Sequence, residues 1–350
     1  MEISAALHTL KPTHQFGISR EVRTEYQTLL IRITHDSHTG YGDAFPSARY
    51  ESTAEENLDT LRSADLTILT EEMATFRPAP FQRKVERAVN QTDSLCAGLT
   101  GAYYDLHARR LCVPAAELVG SAGLSMPVSS YTIGLDDPEV MRQKVREAEE
   151  YPLLKVKLGT DRDEEIIQTI RSETDKPVRV DANEGWNAEE ALRMTDWLAG
   201  ENVEFVEQPI PAGQYDEMRW LRARSPLPLI ADEDCRHVED LPLILSCYDG
   251  INIKLVKCGG ITPALKMIHT ARTFQKTVML GCMVESSAGI AAATALGSQV
   301  DYLDLDGNLL LSNDPFSGPR AEGGHFPELT TPGLGIEPLV DIDWQKILSA

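Results

Sequence analysis

Between Lys155 and Lys257 the sequence keeps a beat that few folds can satisfy. Short β-branched runs recur, and each ends on a residue type used in catalysis. These are Lys157, Asp181, Glu207, Asp232 and Lys257, separated by steps of 24, 26, 25 and 25 residues. A helical pattern follows each run, and the beat extends back to Thr132 and forward to Cys282 and Asp306. Strands are predicted near 128–133, 153–158, 177–182, 203–207, 228–232, 250–256, 277–282 and 301–305. Eight strands with seven connecting helices predict an α/β fold, a (β/α)8-type (modified TIM) barrel, whose chemistry gathers at the C-terminal strand ends. An open sheet would more often carry a Gly-rich phosphate loop, and no G-x-G-x-x-G or G-x-x-x-x-G-K-[ST] follows these strands.

The first 110 or so residues read differently: strands first, then helices, as in a small α+β module. Tyr26–Ile33 is a clear strand, Asp36–Gly40 a turn and Tyr41–Phe45 a return strand. Lys11 to Glu25 reads as a loop. Ser52 or Thr53, followed by Glu55 or Glu56, has the character of a capping box at a helix start. Helical patterns fill 53–76 and 82–111, punctuated by Pro78 and Pro80. The predicted organisation is an α+β module at 1–113, the barrel at 114–312, and a segment at 313–350 that returns to the module.

Charge and composition narrow the partners. A formal net charge of −21 argues against nucleic acid and against an anionic membrane surface. No apolar run approaches the roughly 20 residues of a membrane span. The opening Met1–Leu7 lacks the regions of a signal peptide, and the six cysteines form no Cys-x-x-Cys pair. A cytoplasmic location with reduced thiols is expected, and a homo-oligomer is the expected assembly.

Three carboxylates on successive strand ends, Asp181, Glu207 and Asp232, would converge on the barrel mouth. Unpaired, they would repel one another and be costly to bury. Hard oxygen ligands that leave room for substrate and water suit one Mg2+ per subunit. Any one of them alone could instead cap the helix that follows it. Lys157 and Lys257 belong to strands two and six, opposite each other in an eight-stranded ring. A substrate at the centre would meet an amine on each face, and a lysine becomes a base once its pKa is lowered. The plainer alternative is a pair of rim lysines bridged to carboxylates. Lys155 shares the parity of Lys157 and is expected to reach a substrate oxygen; Thr132 ends the first strand of the same mouth. Asp304 and Asp306 fall on one side of the last strand, where they could hold an ammonium group. A second metal, or a solvated Asp306-Gly307 turn, are the rival readings of that pair.

These motifs resemble the enolase superfamily in its muconate-lactonising subgroup. Lys155-x-Lys157, Asp181-Ala-Asn, Glu207-Gln-Pro, Ala231-Asp232-Glu233 and Asn252-Ile-Lys-Leu-x-Lys257-x-Gly-Gly260 match in order and spacing. The resemblance covers nearly the whole chain and implies a capping domain made of the N-terminal module and the C-terminal tail. It implies Mg2+ on Asp181, Glu207 and Asp232, with Lys157 and Lys257 as the acid/base pair. Asp304-Leu-Asp306 is similar to the aspartate pair with which dipeptide epimerases hold the substrate's ammonium. Leu280–Met283 and the Phe16–Arg23 loop also resemble the Ala-Glu epimerase branch, in which a loop arginine meets a side-chain carboxylate. Arg20 and Arg23 are both candidates. The expected reaction is 1,1-proton transfer at the α-carbon of a dipeptide's C-terminal residue, with an L-Ala-D/L-Glu-type substrate. N-acylamino acid racemase, o-succinylbenzoate synthase and a catalytically silent binding protein are the alternatives. Glu21 and Glu285 are expected to add negative charge to the pocket.

Overall fold

The computed structural model describes residues 1–50 and 52–349. Its N-terminal module begins with β1 (Glu2–Leu10), β2 (Phe16–Ile18), β3 (Glu21–Arg23), β4 (Tyr26–His35) and β5 (His38–Ala44). The apolar runs of β1 and β4 pair antiparallel from Glu2↔Thr34 to Leu10↔Tyr26, and β5 returns along β4. The two-residue turn between them places Asp36 at φ +52°, a conformation that aspartate tolerates better than most residues. The segment read as a loop contains a hairpin, β2–β3, in which Phe16 pairs with Arg23. Three-residue strands leave too short a pattern for alternation to show.

Helices α1 (Ala54–Ser63), α2 (Pro78–Ala88) and α3 (Asp93–Leu111) cover this sheet. Thr53 is the N-cap of α1 and closes the expected capping box with Glu56. The single helical pattern predicted over 82–111 is two helices, because Asn90 and Gln91 adopt left-handed backbone (φ +51° and +57°) and break the ladder. Helix α3 is buried on nearly every side, lying between the sheet and the barrel. Gly42 of β5 makes this possible: a Cβ there would stand 2.0 Å from the Gly98 carbonyl oxygen.

After α4 (Ala115–Leu118) strand and helix alternate. The strands are β6 (Tyr131–Ile133), β7 (Leu154–Lys157), β8 (Val178–Asp181), β9 (Val203–Glu207), β10 (Leu229–Ala231), β11 (Gly250–Ile253), β12 (Thr277–Gly281) and β13 (Tyr302–Asp304). The helices between them are α5 (Pro138–Glu147), α6 (Asp163–Arg171), α7 (Ala188–Leu198), α8 (Tyr215–Arg222), α9 (Leu241–Cys247), α10 (Leu255–Cys258), α11 (Ile261–Thr273) and α12 (Ser287–Thr294). All eight strands are parallel and neighbours in chain order. Ser129 bridges to Leu303, which brings the first and last strands together into the expected barrel. One placement differs from the prediction. Lys257 does not end strand six: β11 stops at Ile253, and Lys257 rides on the single-turn helix α10.

The tail returns to the module. Strands β14 (Phe316–Ser317) and β15 (Glu337–Pro338) pair with each other, and β16 (Gln345–Ser349) adds to the free edge of β1. Pairing that edge removes a row of open backbone groups from solvent. Among the described residues no helix is long and apolar enough to cross a membrane.

Candidate active site

Parallel strands deliver their last residues to one end of the barrel, and the charged residues of the beat meet there. Asp181 ends β8 and Glu207 ends β9, paired in register; Asp232 follows β10 by one residue. All three are at most 1 % exposed, and their ligand oxygens lie within 4.8 Å of one another. Four amines answer them. Lys157 Nζ donates to Asp181 Oδ2 at 2.6 Å. Lys155 Nζ stands 2.6 Å from Glu207 Oε2, 2.7 Å from Asp304 Oδ2 and 3.3 Å from Asp181 Oδ2. Lys254 Nζ is 2.9 Å from Asp232 Oδ2, and Lys257 Nζ donates to both Asp232 Oδ1 and the Asp232 carbonyl at 2.5 Å.

Burial pushes all three carboxyls upward, and the amines reverse this at two of them. Lys157 and Lys155 hold Asp181 below the usual range, while Lys254 and Lys257 hold Asp232 well below it. At Glu207 burial wins, reinforced by the Asp181 charge, and the carboxyl is pushed up to about 7. Glu207 shares its amine, Lys155, with Asp181 and Asp304, and is the least compensated member of the trio. Three buried hard oxygen donors that converge in this way fit a divalent cation such as Mg2+. Burial alone would lower Lys257, but Asp232 beside it leaves the amine above the usual lysine range.

A cavity of about 370 Å3 opens above the trio, with Lys157, Asp232 and Lys254 on its floor. That volume is in the range of small-molecule sites. On the barrel side, Thr132, Asp304 and Asp306 form a second acidic corner of the same cavity. Asp304 accepts from Ser130 Oγ at 2.6 Å as well as from Lys155, and Asp306 Oδ2 accepts from the Thr132 amide at 2.6 Å. Burial raises both carboxyls. Lys155 and then Lys157 reverse this at Asp304, whereas Asp306, beside the Asp304 charge, is left at about 6. β13 stops at Asp304, so Asp306 lies just past the strand, at the start of a turn with Gly307. Asp306 lines the cavity and opens a turn, but at 3 % exposure it is not the solvated turn of the rival reading.

Arg20 and Arg23 both line the cavity from the β2–β3 hairpin. Arg20 spans the mouth: it donates to the Asn183 carbonyl at 2.9 Å, to Glu184 Oε2 at 2.5 Å and to Glu233 Oε1 at 2.8 Å. Arg23 is paired locally, 2.7 Å from Glu21. Sequence reading does not single out Glu184, and it names Asn252 only within a motif, without a role; the Asn252 Nδ2 donates to Glu207 Oε1 at 2.7 Å. Asn252 had a signal, since Gly250-Ile-Asn252-Ile-Lys254 alternates and puts both polar residues on the inner face. Glu184 had none.

Glu285 corrects an expectation. It is 3 % exposed and packs under the mouth against Gly289, its Oε1 accepting from the Met283 amide at 2.9 Å. It is absent from the cavity lining, and burial, then the nearby Asp43 charge, push its carboxyl up to about 8. A carboxyl whose folded pKa is raised stabilises below its unfolded pKa, near 4.5, and that contribution is lost as pH rises through about 8. Glu285→Gln is therefore expected to match wild type near pH 5 and to melt higher at pH 8.5. The gap should be on the order of 5 °C in thermal unfolding. Equal melting differences at both pH values would show that Glu285 is not protonated in the fold.

Fold and donor set together define a barrel protein built to hold a hard divalent cation at its C-terminal mouth, with amines on both sides. The family described as enolase C-terminal domain-like matches residues 139–342. The chain belongs to this family. It is 36 % identical over 345 residues to the L-Ala-D/L-Glu epimerase of Bacteroides thetaiotaomicron, covering 96 % of this chain and 88 % of that protein. It is 38 % identical to the L-Ala-D/L-amino acid epimerase of Maribacter sp., covering 96 % of this chain and 99 % of the relative. A dipeptide epimerase from Enterococcus faecalis, solved with Mg and L-Leu-L-Tyr, superposes with a TM-score of 0.86 at 27 % identity, covering 96 % of this chain and 98 % of that one.

Proposed function

We propose that this protein is a Mg2+-dependent dipeptide epimerase that inverts the α-carbon of the C-terminal residue, with L-Ala-D/L-Glu-type dipeptides among its substrates. The observation that carries this reading is the buried carboxylate trio with Lys157 on one side and Lys257 on the other. In the Enterococcus relative a dipeptide and Mg are bound together. Asp181, Glu207 and Asp232 would hold Mg2+, which would supply positive charge to offset the negative charge that grows on the substrate carboxylate as the α-proton leaves.

The chain's own residues do the rest. One lysine takes the α-proton from its face, and the other returns a proton from the opposite face, which inverts the centre. Lys157 lies on the cavity floor; Lys257 reaches it by releasing Asp232, which a cation would engage in its place. Lys155, shared among Glu207, Asp304 and Asp181, keeps a positive charge under the substrate's carboxylate oxygen. Asp304 and Asp306 receive the N-terminal ammonium, with Thr132 holding Asp306 in place. Six free cysteines support a reducing cytoplasmic setting.

The test is a set of dipeptides incubated with the enzyme and Mg2+ in D2O, read by mass spectrometry for α-deuterium. Deuterium is expected in free dipeptides, and N-acetylation should lower kcat/KM by about 100-fold or more, because Asp304 and Asp306 would lose their cation. Equal rates for free and acetylated forms would reassign the protein to racemisation of acylated amino acids.

A further inference from the structure

The mouth of the cavity carries three arginines, and every one is already matched by a carboxylate. Arg20 is held by Glu184 and Glu233, Arg49 by Glu184 at 3.0 Å, and Arg23 by Glu21 at 2.7 Å. Glu184 is the shared member: its two oxygens take Arg20, Arg49 and the Ala212 amide. It projects from the turn after β8, where Asn183 and Glu184 are both left-handed (φ +45° and +67°). Glu233 is 5 % exposed; one oxygen accepts from Arg20, and the other is buried with no hydrogen-bond partner among the described residues. Between these pairs the wall is apolar, formed by Phe16, Ile18, Tyr26 and Phe45 from the cap and by Met283 and Leu310 from the barrel.

From this arrangement, and resting on the dipeptide reading above, we infer that Glu184 and Glu233 are specificity-determining residues that neutralise Arg20 and broaden the choice of the inverted residue. Asp304 and Asp306 fix the ammonium end at β13, so the other end of a dipeptide points toward the ends of β8 and β10. Arg20 stands there, bonded on both sides. An acidic side chain gains Arg20 only by sharing it with Glu233 or displacing it. Displacement would leave a buried carboxylate with no partner on either oxygen, which opposes the gain. An uncharged side chain leaves the Arg20 pairs intact and buries its carbon surface on the apolar wall. Attraction and repulsion nearly cancel, so acidic and uncharged residues are both accepted.

L-Ala-L-Glu and L-Ala-L-Gln test this cleanly, being the same shape with and without the charge. In the wild-type holoenzyme their kcat/KM values, measured by α-deuterium incorporation, are expected to lie within about threefold. Glu184→Gln removes one negative partner of Arg20 while keeping its shape and one of its two accepting oxygens, and should raise the Glu/Gln ratio at least about fivefold. Glu233→Gln should raise the ratio in the same direction, with Mg2+ titrated for each variant because Asp232 is adjacent. The inference is overturned by a wild-type preference for Glu above about tenfold, or by ratios that neither variant moves. No deuterium in any dipeptide, with wild type or variants, sinks the epimerase reading instead.

Discussion

Replacing Lys257 by Ala is expected to abolish epimerisation in both directions, and so is replacing Lys157. A full turnover needs one amine on each face, so a single loss stops both the forward and the reverse reaction. Removal of a positioned acid/base is expected to lower kcat by about 10^2–10^4-fold. The two variants should not behave alike in D2O. Each retains one lysine and should still wash deuterium into one α-epimer without inverting it, with the opposite epimer responding in the other variant. That split separates a missing base from a damaged fold, since an unfolded site would exchange neither. The side chains removed are also structural partners: Lys157 answers Asp181 at 2.6 Å and Lys257 answers Asp232 at 2.5 Å. Mg2+ binding by each variant should therefore be measured beside its rate. If either variant epimerises near the wild-type rate, the two-base assignment is wrong.

Asp181→Asn should be as damaging by a different route. It removes one of three carboxylates in a site whose ligand oxygens lie within 4.8 Å of one another, and it leaves the Lys157 and Lys155 amines facing a neutral amide. Mg2+ affinity is expected to fall at least about 100-fold, measured by calorimetry, with a comparable or larger loss of kcat/KM. Thermal unfolding gives an independent readout. Wild type at saturating Mg2+ should gain on the order of 2–3 kcal/mol at about 100 times Kd. The variant should gain almost nothing over the same titration. A variant that binds Mg2+ as tightly as wild type would remove Asp181 from the metal site and leave the carboxylate trio without its role.

Much of this site could be read from the chain because a parallel barrel makes sequence spacing a spatial statement. When strand and helix repeat every 25 residues or so, residues at equal phase arrive at the same end of the same ring. Asp181, Glu207 and Asp232 needed only that phase to be placed together. Lys155 and Lys157 needed the further fact that side chains alternate along a strand. Lys257 was placed on the correct side of the ring but on the wrong element. The Leu255–Cys258 turn is too short for its helical period to stand out against the strand before it.

What resisted reading was everything that joins distant segments without a repeat. The β2–β3 hairpin is three residues a side, so Lys11 to Glu25 shows no period, and no spacing links Arg20 to Glu184 and Glu233, 164 and 213 residues away. Nor could spacing tell that Glu285 turns under the mouth to face Gly289, rather than into the cavity beside Met283. Charge type and phase along one strand are local properties, and the sequence alone was enough to decide the barrel and to bring Asp181, Glu207 and Asp232 to one end of it beside Lys155 and Lys157. How each arginine is paired, and which carboxyls are pushed up, depend on burial and on neighbours brought from other segments. Those energies exist only once the chain has folded, and the tertiary structure alone decided them.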